Sequence, residues 1–111
     1  MLSGIANDLE RYMNLLSARQ KVVASNIANA DTPGYQTQDI DFEAEFRAAA
    51  GGTPAAFPVS GLPEKNDGNN VSLDREARLL AENGIRFNLA SNLMRTQIQE
   101  IRAALQSGSN P

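Results

Sequence analysis

The sequence predicts a mainly α-helical protein. Two long terminal helices pair as an antiparallel, coiled-coil-like hairpin, joined by an extended and looped middle that holds one short helix. Three observations predict this. Leu2, Leu9, Leu16, Val23 and Ala30 recur every seven residues near the start, and Leu73, Leu80, Phe87, Met94 and Ile101 do so near the end. A seven-residue apolar period is the seam of paired helices. Between them, residues 51–70 are dense in Gly, Pro, Asp and Asn and sustain neither a helical nor a strand period. Leu, Ile, Val and Phe together number only 25 of 111 residues, and Trp is absent. So thin a supply cannot build a thick private core, and the seams must be buried on each other or on neighbours.

The first helix is expected over residues 2–30, roughly 45 Å long at 1.5 Å per residue. Ser3 is its N-cap. Ile5, Tyr12 or Met13, and Ile27 fill the alternate seam positions, and the weak layer falls at Arg19 and Gln20. The run Val23-Ala24-Ser25-Asn26-Ile27-Ala28-Asn29-Ala30-Asp31-Thr32-Pro33-Gly34-Tyr35 then stops it. Thr32, before proline, is pushed toward extended backbone, and Pro33 fixes its own φ. Gly34 is free to take positive φ, so Pro-Gly suits the centre of a type II turn. Asn26 and Asn29 are poor helix residues on the last turn. Structural end caps and polar contacts across an interface account for them equally well.

Tyr35 to Ile40 reads as extended. Asp41 is a good N-cap for a short helix over Phe42–Ala50, with Glu43 in its favourable first turn. A strand competes, because Ile40, Phe42, Ala44 and Phe46 alternate with carboxylates; the alanines favour the helix. Residues 51–70 are expected to form a mobile loop of about twenty residues. The second long helix spans residues 71–106, capped by Ser72, with Asp74 and Glu76 near its positive end. Asn83-Gly84 costs about 1 kcal/mol in a helix interior, but the seven-residue register passes through it unbroken. Ala77, Gly84, Ser91, Ile98 and Leu105 make its partner row, whose small members admit a close backbone. Extra apolar rows, Leu15 and Val22 on the first helix and Leu79, Leu89 and Leu93 on the second, exceed what a lone hairpin hides. A stripe of that length marks an interaction surface. The chain thus divides into an assembly helix and Pro-Gly turn (1–34), a middle of extended segment, short helix and linker (35–70), and a second assembly helix with its tail (71–111).

Composition excludes several functions. A net charge of −3 argues against nucleic acid and against anionic membrane surfaces. With no cysteine and no histidine there are no disulfides, thiolate nucleophiles or Ser-His-Asp arrangements. No run approaches ~18 apolar residues, so no membrane insertion is expected. Asp39, Asp41, Glu43 and Glu45 match no metal-loop spacing and read as a solvated charged face. Asp67-Gly68-Asn69-Asn70 reads as a plain turn rather than a calcium loop. Ser25 has no base to activate it. The expectation is no enzyme and no cofactor. The start of the chain lacks the basic and uninterrupted apolar regions of a cleavable signal peptide.

Ala24 to Tyr35 (ASNIANADTPGY) resembles the N-terminal signature of the bacterial flagellar rod and hook proteins. Asp39-Ile40-Asp41-Phe42 and Gly68-Asn69-Asn70-Val71-Ser72-Leu73-Asp74-Arg75-Glu76 are similar to the proximal rod members in particular. The resemblance implies a structural subunit that self-associates through its terminal helices in a helical tube transmitting torque from the motor. It implies a place in the periplasmic rod of the basal body, reached through the flagellar type III export apparatus without a cleaved signal peptide. Implied partners are further copies, other rod proteins, the membrane ring and a FliE-type adaptor at the rod base. The expected interface comprises Leu9, Leu16, Val23, Asn26, Ile27, Asn29, Thr32, Pro33, Gly34 and Tyr35 with Leu73, Leu80, Phe87, Met94 and Ile101. The alternative is a soluble helical-hairpin adaptor that binds one partner helix in its groove.

Overall fold

The computed structural model describes residues 4–48 and 53–109. Helix α1 (Gly4–Ala28) is followed by strand β1 (Gln38–Ile40), helix α2 (Phe42–Ala48), strand β2 (Ala56–Pro58) and helix α3 (Leu73–Ser109). The mainly helical expectation holds, with long helices at both ends and a short mixed middle. The cap expected at Ser3 and the last residues of the short helix, Ala49 and Ala50, lie outside the described residues.

α1 stops two residues before its apolar period does. Asn29 N–H donates to both Ser25 O (3.0 Å) and Asn26 O (3.2 Å), and Ala30 N–H to Ile27 O (3.2 Å). The last turn thus tightens into three-residue spacing. The Pro-Gly turn follows: Tyr35 N–H donates to Thr32 O at 3.2 Å, and Gly34 takes φ +75°. That is the type II geometry, with proline at the second position and glycine at the third.

Asp41 caps α2 as expected, its carboxylate accepting from Ala44 N–H at 3.1 Å. β1 pairs antiparallel with β2 in the register Gln38↔Pro58, Asp39↔Phe57, Ile40↔Ala56. The segment expected to sustain no period therefore supplies a strand, because its order comes from pairing with distant residues and not from any local repeat. Ser72 caps α3, accepting from Arg75 N–H at 3.2 Å. α3 runs unbroken through Asn83-Gly84, since adding residues to an existing helix is far easier than starting a new one.

The two long helices pair antiparallel: Asn26 reaches Glu76, Gln20 reaches Asn83, and Leu9 and Tyr12 lie across from Ala90 and Leu93. The molecule is a rod, 73 × 25 × 18 Å. On α1 the buried row is Leu16, Val23 and Ala30, with Leu9 half-buried above it. On α3 the inward row is Glu76, Asn83 and Ala90. The expected partner row is displaced from the contact: Ala77, Gly84, Ile98 and Leu105 are exposed. Leu73, Leu80 and Phe87 flank the inward row and stay partly open to solvent.

One side of the pair is covered. Tyr12 meets Phe42 and Phe46 edge to face, with centroids 5.2 and 6.2 Å apart. The Arg11 guanidinium lies 4.7 Å over the Phe46 ring and donates to Phe46 O. Leu15 is buried and Val22 half-buried on this side of α1.

Candidate assembly interface

Two features define the surface: a buried polar clamp that fixes the hairpin, and the apolar face the hairpin leaves open. The clamp centres on Asn26, which is fully buried. Its amide nitrogen donates to Gln38 O (2.8 Å) and to Glu76 Oε1. Its oxygen accepts from Gln38 N–H and from the Tyr35 hydroxyl, each at 3.0 Å. All four hydrogen-bonding positions of the side chain are filled. One residue on the last turn of α1 thereby holds the turn, β1 and the start of α3 together.

Charge surrounds it. Arg19 grips the Asp39 carboxylate with two bonds of 3.0 Å. Arg75 bridges Asp39 (2.9 Å) and the fully buried Glu76 (2.8 Å). Two guanidinium groups thus balance two carboxylates, as a buried network requires. Burial on its own would raise the Asp39 carboxyl. Hydrogen bonds from Arg19, Ile40 N–H and Arg75, with the Arg19 charge, outweigh it and hold the group below the usual 3.8. The solvated charged face expected for the carboxylates is therefore wrong at Asp39. Its neighbours do lie outward, where Glu43 pairs with Arg47 and Glu45 accepts from Ala55 N–H.

Asn69 and Asn70 do more than form a plain turn. Asn69 is fully buried, and its amide donates to Asn29 O (2.9 Å) and Thr32 O (2.8 Å). Those carbonyls follow the end of α1, where orphan acceptors need partners. Lys65 Nζ adds a bond to Ala30 O at 2.9 Å. Asn70 accepts from Thr37 N–H (2.6 Å) and donates to Gln36 Oε1 (2.9 Å). Gly68, at φ +84°, lies 3.5 Å from the Gly34 Cα when a Cβ is placed on it, so the two turns nest. A carboxylate at a helix-seam position and two adjacent asparagines after Asp-Gly were the sequence signals for this clamp.

The open face lies on the side of the hairpin away from α2. Leu73, Leu80 (41% exposed), Phe87, Ile98 and Leu105 (69%) line it on α3, with Ile27 on α1. Of the residues expected at an interface, Leu16, Val23 and Asn26 are buried within the chain, and Leu9, Asn29, Tyr35, Met94 and Ile101 are half-buried. Ile27, Thr32, Pro33, Gly34, Leu73, Leu80 and Phe87 are exposed. Asn29 turns to its own helix end, donating to Ser25 O (2.9 Å) and accepting from the Thr32 hydroxyl (3.0 Å). Among the described residues there is no cluster of three or more acidic side chains able to hold a metal, and no helix long and apolar enough to cross a membrane.

The comparisons with known proteins fall on the clamp. The family model described as "Flagella basal body rod protein" matches residues 12–36, from the middle of α1 through the Pro-Gly turn. The chain is 34% identical to the flagellar basal body rod protein FlgB of Escherichia coli K12, over 90% of this chain and 91% of that protein. The chain belongs to the FlgB family of flagellar rod proteins. It is also 32% identical to the Salmonella typhimurium FlgB over 90% of this chain and 91% of that one, and 32% identical to the Yersinia enterocolitica FlgB over 96% and 97%. Its function is that of the FlgB family, a structural subunit of the basal body rod and not an enzyme. The family match spans Asn26, Asn29 and the turn. In this FlgB-type chain that match coincides with the residues that lock the helix end.

Proposed function

We propose that this subunit joins the rod through the open apolar face of its hairpin, with neighbouring copies and other rod proteins as the cover. The observation that carries it is the row Leu73, Leu80, Phe87, Ile98 and Leu105, exposed along more than thirty residues of one helix. A stripe that long is rare on a monomer and is expected where another surface docks. The segments 1–34 and 71–111 act as the assembly helices, and 35–70 as the layer that fixes their pairing. Leu9, Leu16, Val23, Met94 and Ile101 hold the pair, while Ile27, Leu73, Leu80 and Phe87 make contacts between subunits. Asn26 and Asn29 serve the contact indirectly, by presenting the Thr32-Pro33-Gly34-Tyr35 turn in one geometry. At the rod base the partners are the membrane ring and a FliE-type adaptor. The chain reaches them through the flagellar export apparatus with its N-terminus uncleaved, and it passes torque along the rod.

Leu80→Asp or Phe87→Asp tests this, because both residues are partly exposed and their loss leaves the clamp intact. Sedimentation should show assembly lost with far-UV circular dichroism unchanged. Normal assembly by both variants, or a defined one-to-one complex that grows no further, would favour the single-partner adaptor instead.

A further inference from the structure

One buried polar atom is left over on the open face. Asn83 is 3% exposed. Its amide nitrogen donates to Gln20 Oε1 at 3.3 Å, but its Oδ1 has no partner among the described residues. The atom belongs to a groove of about 250 Å³ lined by Leu16, Ser17, Gln20, Gly84, Phe87 and Asn88. Gly84 keeps the groove open, since a Cβ placed there meets nothing within 4 Å. Buried acceptors are almost always paired, so the groove is built for a donor that the single chain does not supply.

The same helix carries a matching donor. Arg102 is exposed, with no hydrogen bond or ion pair among the described residues, and it follows Ile98 by four positions and precedes Leu105 by three. All three therefore share one face of α3. Continuing the register set by Asn26–Glu76 and Gln20–Asn83, Gly4 lies level with about Ile98, so Arg102 and Leu105 project past the described part of α1. Arg102 cannot reach its own Asn83, because about 28 Å of unbroken helix separates them.

We propose that the groove at Gly84 receives the distal end of α3 from a second copy of this chain, with that copy's Arg102 donating to Asn83 Oδ1. A guanidinium donor makes this a charge-assisted bond, and Ile98 and Leu105 of the incoming helix lie against Leu80 and Phe87. The contact joins two different surfaces of one chain. Such a head-to-tail contact, unless it closes into a ring, propagates as an open helical stack. Neighbours joined this way are offset along the helix axis by about 28 Å. The inference rests on the rod-subunit reading and specifies its contact.

The chain has no cysteine, so single-cysteine variants report on it cleanly. Gly84→Cys and Leu105→Cys proteins are mixed and treated with a short bismaleimide, at a concentration where the unmodified chain sediments as assemblies. Cross-linked mixed dimers are expected at five-fold or more over a control pair of Glu43→Cys with Leu105→Cys. Gly84→Leu and Arg102→Ala should each lower assembly at least ten-fold with monomer circular dichroism unchanged. Assembly without cross-linking above the control, or assembly by Gly84→Leu at the unmodified level, overturns this contact and leaves the rod-subunit reading standing. An unmodified chain that never assembles overturns both.

Discussion

Asn26 carries more of this structure than any apolar side chain of its size. Truncating it strands the Gln38 N–H, the Tyr35 hydroxyl and the Glu76 carboxylate at once. Orphaned buried groups of this kind destabilise strongly. Asn26→Ala should therefore lower unfolding free energy by about 3 kcal/mol in urea titration, far more than a surface asparagine. Asp39 makes the clamp sensitive to acid. Its folded pKa is depressed, so its contribution is full above the unfolded value of about 3.9 and is lost as pH falls through the lower, folded value. Urea midpoints measured from pH 7 to pH 2 should fall in that window. Asp39→Asn should be weaker at pH 7, with Arg19 and Arg75 left unbalanced, and should show a flatter acid limb. An unchanged acid limb would assign the sensitivity to other carboxylates.

At the scale of elements, the helices were legible and their faces only partly so. Leu16 and Val23 on α1 are where a seven-residue period puts them. On α3 the apolar period marks Leu73, Leu80 and Phe87, yet the row that meets α1 holds Glu76 and Asn83. Periodicity reports where apolar side chains recur and is blind to a polar seam whose partners come from elsewhere in the chain. The same blindness hid β2 and the Asn69-Asn70 clamp, whose bonds reach back more than thirty residues to the end of α1 and the residues after it. Caps and the Pro-Gly turn were readable because their physics is local. Gly84 gives the clean test of α3. A methyl group there meets nothing and the backbone is helical. Gly84→Ala should stabilise the monomer by about 1 kcal/mol and raise its melting temperature. A lower melting temperature would mean that α3 bends or opens at Asn83-Gly84.

The whole molecule is a thin rod whose two ends differ in how they are held. The end at the Pro-Gly turn is clamped by four buried polar side chains, Asn26, Asn69, Asn70 and Glu76. The far end, from about Ile98 onward, relies on one helix with exposed Ile98 and Leu105. Contacts between subunits should therefore order that end, and helicity by circular dichroism should rise with assembly. A monomer that is fully helical and melts cooperatively at micromolar concentration would contradict this. By contrast, Asp41→Asn with Glu45→Gln removes only exposed or half-buried carboxylates beside α2 and should leave sedimentation of assemblies nearly unchanged.

Hydroxyl-radical footprinting of the free and the assembled chain tests the central claim, that neighbouring subunits cover the open face. Leu80, Phe87, Ile98 and Leu105 should label several-fold less in the assembly, while Ile85, 71% exposed on the opposite side of α3, labels equally in both. Equal labelling of that row in the two states would mean that the rod is built on some other surface.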